Sequence, residues 1–424
     1  MQAMRVGDVA NQDAIPFGKP LDGIRVLAVE QMQAVPYATQ MLARLGADVV
    51  KVESPVGGDS GRGSMPSMTD PDGRHVGATF LRNNLGKRSI AVDLKHPQGR
   101  DLVLALAPKF DVFAENFKSG ALERMGLGYQ AISGVHPGAV YLSITGFGNA
   151  GPPSPYATWP AYASVAEAMS GIYDFKRRDG QPPTVSPVGA LGDISSALFG
   201  VIGVLAALRH REATGRGQHV DVAMLDAMVA MCDIIPNFWS LGLRHGAVGP
   251  VIMDGFQAAD GWFILQVGRE HHFAVLADLV GHKEWLDDPR LATRQGWVDH
   301  LESDIRPAIE GWASTLTKIE ACVALSSAGL AAGPCLTDDE LVVDPHVALR
   351  NMLIELPRPD GVEQPVLIPG NPVKLSDMAE GPETRVPWLG EHTGEVLGEE
   401  LGLTEAEIEG LRSAGAIGAL AGQE

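Results

Sequence analysis

The sequence predicts an α/β protein: a doubly wound parallel sheet followed by a smaller second domain. Three observations carry that reading. Two apolar, β-branched runs, Gly23 to Val29 and Asp48 to Glu53, flank a helical stretch from Pro36 to Leu45. A strand, a helix and a strand within roughly thirty residues form the unit that builds parallel sheets. The alternation then continues to Leu208, and residues 268–335 change to amphipathic helices, as in a separate domain.

Taken in order, residues 1–20 are polar and aperiodic and predict a flexible tail. In the first helix Pro36 belongs to the opening turn and Gly46 is the stop. The loop that precedes it, Gln31-Met32-Gln33, lies at the carboxyl end of a strand, where open α/β sheets receive ligands. Residues 54–80 are rich in Gly, Ser and Asp and predict a long surface loop. Further strands are expected at Lys87 to Asp93, Asp111 to Phe117, Val140 to Ile144 and His219 to Val222, with helices at Pro97 to Leu106 and Gly192 to Arg209. The sheet therefore occupies 21–225. Branched and aromatic residues around Asp260-Gly261 suggest a hairpin. Residues 357–372 have strand and turn character, and Thr404 with Glu407 has capping-box spacing.

Composition narrows the function. The chain of 424 residues is 45% apolar and 20% charged, as in a soluble globular enzyme. Its net charge of -19 argues against a nucleic-acid surface. An anionic ligand must then be held by local Lys, Arg or helix N-termini. Cys232, Cys322 and Cys335 form no CxxC pair, which points to a reducing compartment without a disulfide framework or cysteine zinc site. His271-His272 lacks metalloprotease spacing, so no metal is expected. The first nineteen residues have no apolar signal core and no run approaches the length of a membrane span; a cytoplasmic location is expected by elimination.

The chemistry is expected in residues 184–200. This stretch starts extended, passes Gly189 and Gly192, and becomes an apolar helix with Asp193 at the junction. Asp193 is either an N-cap, accepting orphan amides, or a carboxylate presented to a substrate at a helix N-terminus; spacing leaves both open.

Eight blocks, in order along nearly the whole chain, resemble the class III coenzyme A transferases, the family of formyl-CoA and carnitine-CoA transferases. They are Pro20 to Leu27, Leu45 to Glu53, Asn84 to Ile90, Glu115 to Gly120, Gly146-Phe147-Gly148, Leu191-Gly192-Asp193, Thr214 to Gln218 and Leu389 to Thr393. The resemblance implies an interlocked homodimer. Each chain would have a Rossmann-like large domain (21–225), a smaller α+β domain (226–340), and a linker with a C-terminal segment (341–424) that returns to the large domain.

It also implies roles. Asp193 corresponds to the nucleophile. A carboxylate is ionised at neutral pH and can attack a thioester without a general base. Gln33 corresponds to a glutamine beside it, able to stabilise the oxyanion. Asn116, Phe117 and Arg124 match CoA-contacting positions; Met32, Val92 and Lys95 join that set, with Lys95 as a phosphate partner and Val92 near the adenine. No tightly bound cofactor is implied: acyl-CoA and a small carboxylic acid are the substrates, with no nucleic-acid or membrane partner. Two departures stand out: Ser54 replaces a basic residue and Ala163 an acidic one. The same fold also supports α-methylacyl-CoA racemisation, which needs an acid and a base on opposite faces of the α-carbon. Related racemases use His where this chain has Tyr162, a poor base at neutral pH. A non-catalytic acyl-CoA-binding protein is the remaining reading.

Overall fold

A computed structural model describes residues 3–175, 180–185, 189–232, 234–242 and 249–418. Six strands form one parallel sheet: β1 (Arg25–Val29), β2 (Asp48–Glu53), β3 (Arg88–Ala91), β4 (Val112–Glu115), β5 (Val140–Thr145) and β6 (His219–Ala223). Their spatial order is β3-β2-β1-β4-β5-β6, that of the dinucleotide-binding doubly wound sheet. Register runs from Arg25 opposite Asp48 to Thr145 opposite Ala223. The central strands are apolar along their length because helices cover both faces.

One face is covered by α1 (Ala34–Arg44) and α5 (Leu191–Thr214), whose Val35, Ala38, Leu42, Ala197 and Val204 share a core with Val26, Val49 and Leu142. The other face is covered by α2 (Pro97–Leu106) and α3 (Tyr129–Val135), together with the C-terminal α10 (Thr393–Leu401) and α11 (Glu405–Ser413). The capping box of α11 is formed: the Glu407 N–H donates to Thr404 Oγ1 (3.3 Å), and the Thr404 N–H to the Glu407 carboxylate (2.8 Å). The C-terminal segment also closes the outer edge of the sheet. Ala91 N–H donates to Thr393 Oγ1 (3.0 Å), Ser89 N–H to His392 Nδ1 (3.2 Å) and Gly418 N–H to Ala91 O (2.9 Å). Open strand edges invite mispairing, and this edge is covered.

The described residues fall into two compact units, 1–236 with 345–424, and 237–344. In the smaller unit, β7 (Ile252–Ala258) and β8 (Gly261–Val267) form the hairpin, and β9 (Ala331–Pro334) pairs antiparallel with β8. Helices α7 (Glu270–Leu279), α8 (Arg306–Ala313) and α9 (Lys318–Ser327) pack on it. Phe273 lies stacked on Trp297, centroids 4.4 Å apart.

Three expectations need correction. Residues 4–17 are not a loose tail: Met4–Arg5 pairs in parallel with Ile354–Glu355, and Asn11 Nδ2 donates to the carbonyls of Ser376 and Met378. Their partners lie some 350 positions away, so no local periodicity announces them. Residues 54–80 are not all surface loop, since Asp59, Arg62, Met68, Val76 and Phe80 are buried. Ionic pairing is what draws the polar members in. Finally, α5 is long and apolar enough to cross a membrane. Its buried Ala197, Gly200, Val204 and Leu208 make it instead a core helix of the sheet domain.

Candidate active site

A cleft of about 780 Å³ opens at the carboxyl ends of the strands. Its walls come from loop 31–33, from 116–119 after β4, from 144–147 after β5, from 157–164 leading into α4 (Ala163–Met169), and from 189–193 at the start of α5. Asp193, Gln33, Met32, Asn116 and Phe117 all line it.

Asp193 sits in the first turn of α5, two residues past Leu191. The N-cap position belongs to Ala190, and no side chain caps the helix. The capping role is therefore overturned: Asp193 has helical backbone, caps no orphan amide and lines the cleft. Its titration is pushed up to about 6, first by burial and second by the charge of Glu167. Two close approaches shape the wall. A Cβ on Gly192 would meet Ala163 Cα and O at 3.0 Å, and one on Gly146 would lie 2.1 Å from Ala161 Cβ. Only glycine lets these segments meet.

Loop 31–33 is braced from below. Met32 adopts φ +61°, a left-handed backbone that non-glycine residues avoid. Its N–H donates to Asp59 Oδ1 (2.8 Å). Asn116 clamps Gln31, taking its N–H on Oδ1 (3.0 Å) and donating from Nδ2 to its carbonyl (2.8 Å). The Asn116 amide is thus occupied in holding the loop. Gln33 occupies the N-cap position of α1 without capping it, and its side chain makes no hydrogen bond to another described residue.

Under the loop lies a buried ionic network. Lys51 Nζ is 2.7 Å from Asp59 Oδ2 and 3.3 Å from Glu30 Oε1, and Lys87 Nζ is 2.7 Å from Glu30 Oε1. Arg62 grips Glu53 with two 2.7 Å hydrogen bonds. Burial opposes the Glu53 charge, but Arg62 and Lys51 overcome it and hold the carboxyl at about 2. Burial pushes Lys87 down to about 8.

The rest of the expected set is not gathered in the cleft. Val92 has no exposed surface and is packed with Val103 and Ile417, so its side chain cannot meet an adenine. The strand run reads the same whether a residue faces solvent or core. Lys95 and Arg124 are exposed and lie outside the lining. Lys118, which was not singled out, is the cation on the wall. Phe147, Tyr156 and Trp159 form an aromatic cluster beside it, with centroids 4.8 to 6.4 Å apart. Among the described residues no cluster of His, Cys, Asp or Glu is arranged to hold a metal ion.

Residues 21–393 match the family model described as CoA-transferase family III. The chain belongs to CoA-transferase family III. Relatives of this transferase include the succinate–glutarate CoA-transferase of Agrobacterium fabrum, 36% identical, with 90% of this chain and 95% of that protein covered. The succinyl-CoA:mesaconate CoA-transferase of Haloarcula hispanica is 34% identical over 89% of this chain and 96% of its own. The crystal structure of a CAIB/BAIF family protein from Brucella suis superposes with a TM-score of 0.77 at 34% identity, over 90% of this chain and 99% of that one. CoA transferases take CoA thioesters as substrates, and a cleft at the carboxyl ends of a parallel sheet is where such a fold receives them.

One neighbour of Asp193 escaped the sequence reading. Glu167, on α4, is buried and its Oε1 accepts the Gly192 N–H at 2.9 Å. It sits in an Ala-rich helical run that reads as ordinary core packing. Its only signal is an acidic residue at a core-facing position.

Proposed function

We propose that this transferase moves CoA from an acyl-CoA thioester to a free carboxylic acid through covalent intermediates on Asp193. The carrying observation is Asp193 in the first turn of α5, lining the cleft that Gln33 also lines; burial and the Glu167 charge raise its titration only to about 6, which leaves the carboxylate ionised at neutral pH. An Asp193 oxygen attacks the thioester carbonyl; the carbon–sulfur bond breaks, giving a mixed anhydride and CoA thiolate. The thiolate attacks the aspartyl carbonyl, releasing the donor acid and leaving an aspartyl-CoA thioester. The acceptor carboxylate attacks that carbonyl, forming a second anhydride and freeing the thiolate again. Thiolate attack on the acceptor carbonyl then yields the new acyl-CoA and restores the Asp193 carboxylate. The unoccupied amide of Gln33 donates to the oxyanion of each addition. Lys118 on the wall, with Arg124 and Lys95 beyond it, supplies the cations for CoA phosphates.

Racemisation is less well supported, because no histidine occurs among the described lining residues to serve as base. A cytoplasmic setting agrees with the three unpaired cysteines.

Asp193→Asn tests the chemistry, since Asn keeps the shape but not the attacking anion. The variant should fold and lose at least about 10³-fold in turnover. Hydroxylamine with an acyl-CoA should mark the Asp193 peptide in the parent only. A folded variant with near-normal transfer would sink the assignment.

The reading extends to a homodimer. Leu198, Ile202 and Leu205 form an exposed apolar row on α5, with Ile202 62% exposed, and such a row suits a second copy. Sedimentation should give a dimer that persists on dilution; a monomer at assay concentration would remove it.

A further inference from the structure

We propose that Glu167 is a positioning residue for Asp193: a buried carboxylate that anchors the first turn of α5 and keeps a negative charge beside the nucleophile. The inference rests on the reading of Asp193 given above.

Glu167 is 1% exposed. Its Oε1 takes the N–H of Gly192, the residue before Asp193, at 2.9 Å. The Tyr173 hydroxyl donates to Oε2. Gly192 also rests on the Ala163 main chain, so α4 and α5 are locked together at this point. An anion accepting an amide at a helix N-terminus is stabilised there. Burial is the first cause, and the Glu167 charge the second, that disfavours ionisation of Asp193.

The charge goes beyond what anchoring needs. A Gln at this position would accept the same amide, so hydrogen bonding alone does not call for a carboxylate. What the anion adds is basicity at Asp193. A more basic carboxylate is the stronger nucleophile, provided it is still ionised at working pH. A group titrating near 6 meets both conditions at pH 8. The other titratable groups on elements packed against α4, among the described residues, are Tyr173 and Asp174 on the short helix that follows it and the exposed Asp226 on α6 (Met224–Met231). Arg209, His210, Arg211 and Glu212 lie at the far end of α5.

Glu167→Gln in the full chain is the test, read first as the pH profile of kcat. In the parent the acid limb should have its midpoint near 6, so that turnover at pH 5 is about a tenth of the plateau. In E167Q the midpoint should move below 6, and the variant should keep a larger fraction of its plateau at pH 5. A purely structural role would lower kcat at every pH and leave the midpoint in place, and that outcome would overturn the proposal. Carboxyl 13C titration, with Asp193 assigned by its loss in D193N, gives a readout independent of turnover. In the parent the Asp193 signal should titrate near 6, and below that in E167Q; a parent midpoint at the ordinary 3.8 overturns the proposal even where E167Q does not fold. The two readings separate cleanly. If D193N stays active while the Asp193 titration moves in E167Q, the nucleophile falls and the coupling stands. If D193N is inactive and the titration ignores E167Q, only the coupling falls.

Discussion

Buried and half-buried carboxylates stand on both sides of this sheet's carboxyl end. On the β1–β2–β3 side, Glu30, Glu53 and Asp59 face Lys51, Lys87 and Arg62 at ion-pair distance. On the β4–β5–α5 side, Glu115, Glu167 and Asp193 have no ion-pair partner among the described residues. Burial opposes the charge of Glu53, Asp193 and Glu115 alike, yet the outcomes are opposite. Glu53 is held at about 2, whereas Asp193 rises to about 6 and Glu115 to about 8, each chiefly through burial. Desolvation always disfavours the charged form; only the paired side has cations to overcome it. The paired side is a foundation that fixes loop 31–33. The unpaired side keeps carboxyls that ionise late, the kind of perturbed group that clusters at functional sites.

Breaking a pair should give the largest change in stability. Glu53→Gln leaves Arg62 buried without its counter-charge and should destabilise the chain by about 3–5 kcal/mol at pH 7, measured by denaturant unfolding. The pH dependence follows from the depressed titration. The contribution of Glu53 is complete above its ordinary 4.5 and is lost as pH falls through about 2. E53Q and parent should therefore converge in stability between those values. A constant gap down to pH 2 would show that the pairing is not electrostatic.

Glu115→Gln should act in the opposite direction. Its carboxyl accepts the Phe117 N–H at 2.7 Å, which Gln can also do. With the folded titration raised from 4.5 to about 8, the native state holds a proton that the unfolded chain gives up. Stability is complete below 4.5 and is lost as pH rises through 8. E115Q should thus gain up to about 4 kcal/mol at pH 8 and little at pH 4.5. Destabilisation at pH 8 would contradict the contrast between the two sides.

The smallest effect concerns binding. Arg124→Ala should raise the KM for acyl-CoA about tenfold, as expected for one charge-assisted phosphate contact, with kcat nearly unchanged. An unchanged KM would leave Lys118 as the cation that matters.

Legibility in the sequence followed the range of the interaction. Gly23 to Val29 and Asp48 to Glu53 announced a parallel sheet because a strand buried on both faces must be apolar throughout. The motif around Leu191-Gly192-Asp193 and the loop at Gln31 to Gln33 marked two walls of the cleft. The role of Asn116 was not visible: it lines the site as expected, but its amide is spent on Gln31. Val92 was misplaced because strand composition does not say whether a side chain has any open surface.

By itself, the sequence determined the strand–helix alternation, the family and the position of Asp193 at a helix start, all of which depend on neighbours in the chain. Tertiary structure alone decided which carboxylates meet cations. Glu53 finds Arg62 nine residues away, but Glu167 reaches Gly192 across 25 positions. It also decided that the N-terminal residues pair with 354–355 and that the edge of β3 is closed from residues 392–418. The reason is physical: local pattern reports which side chains want burial, whereas charge state depends on distances that exist only after the chain has closed on itself.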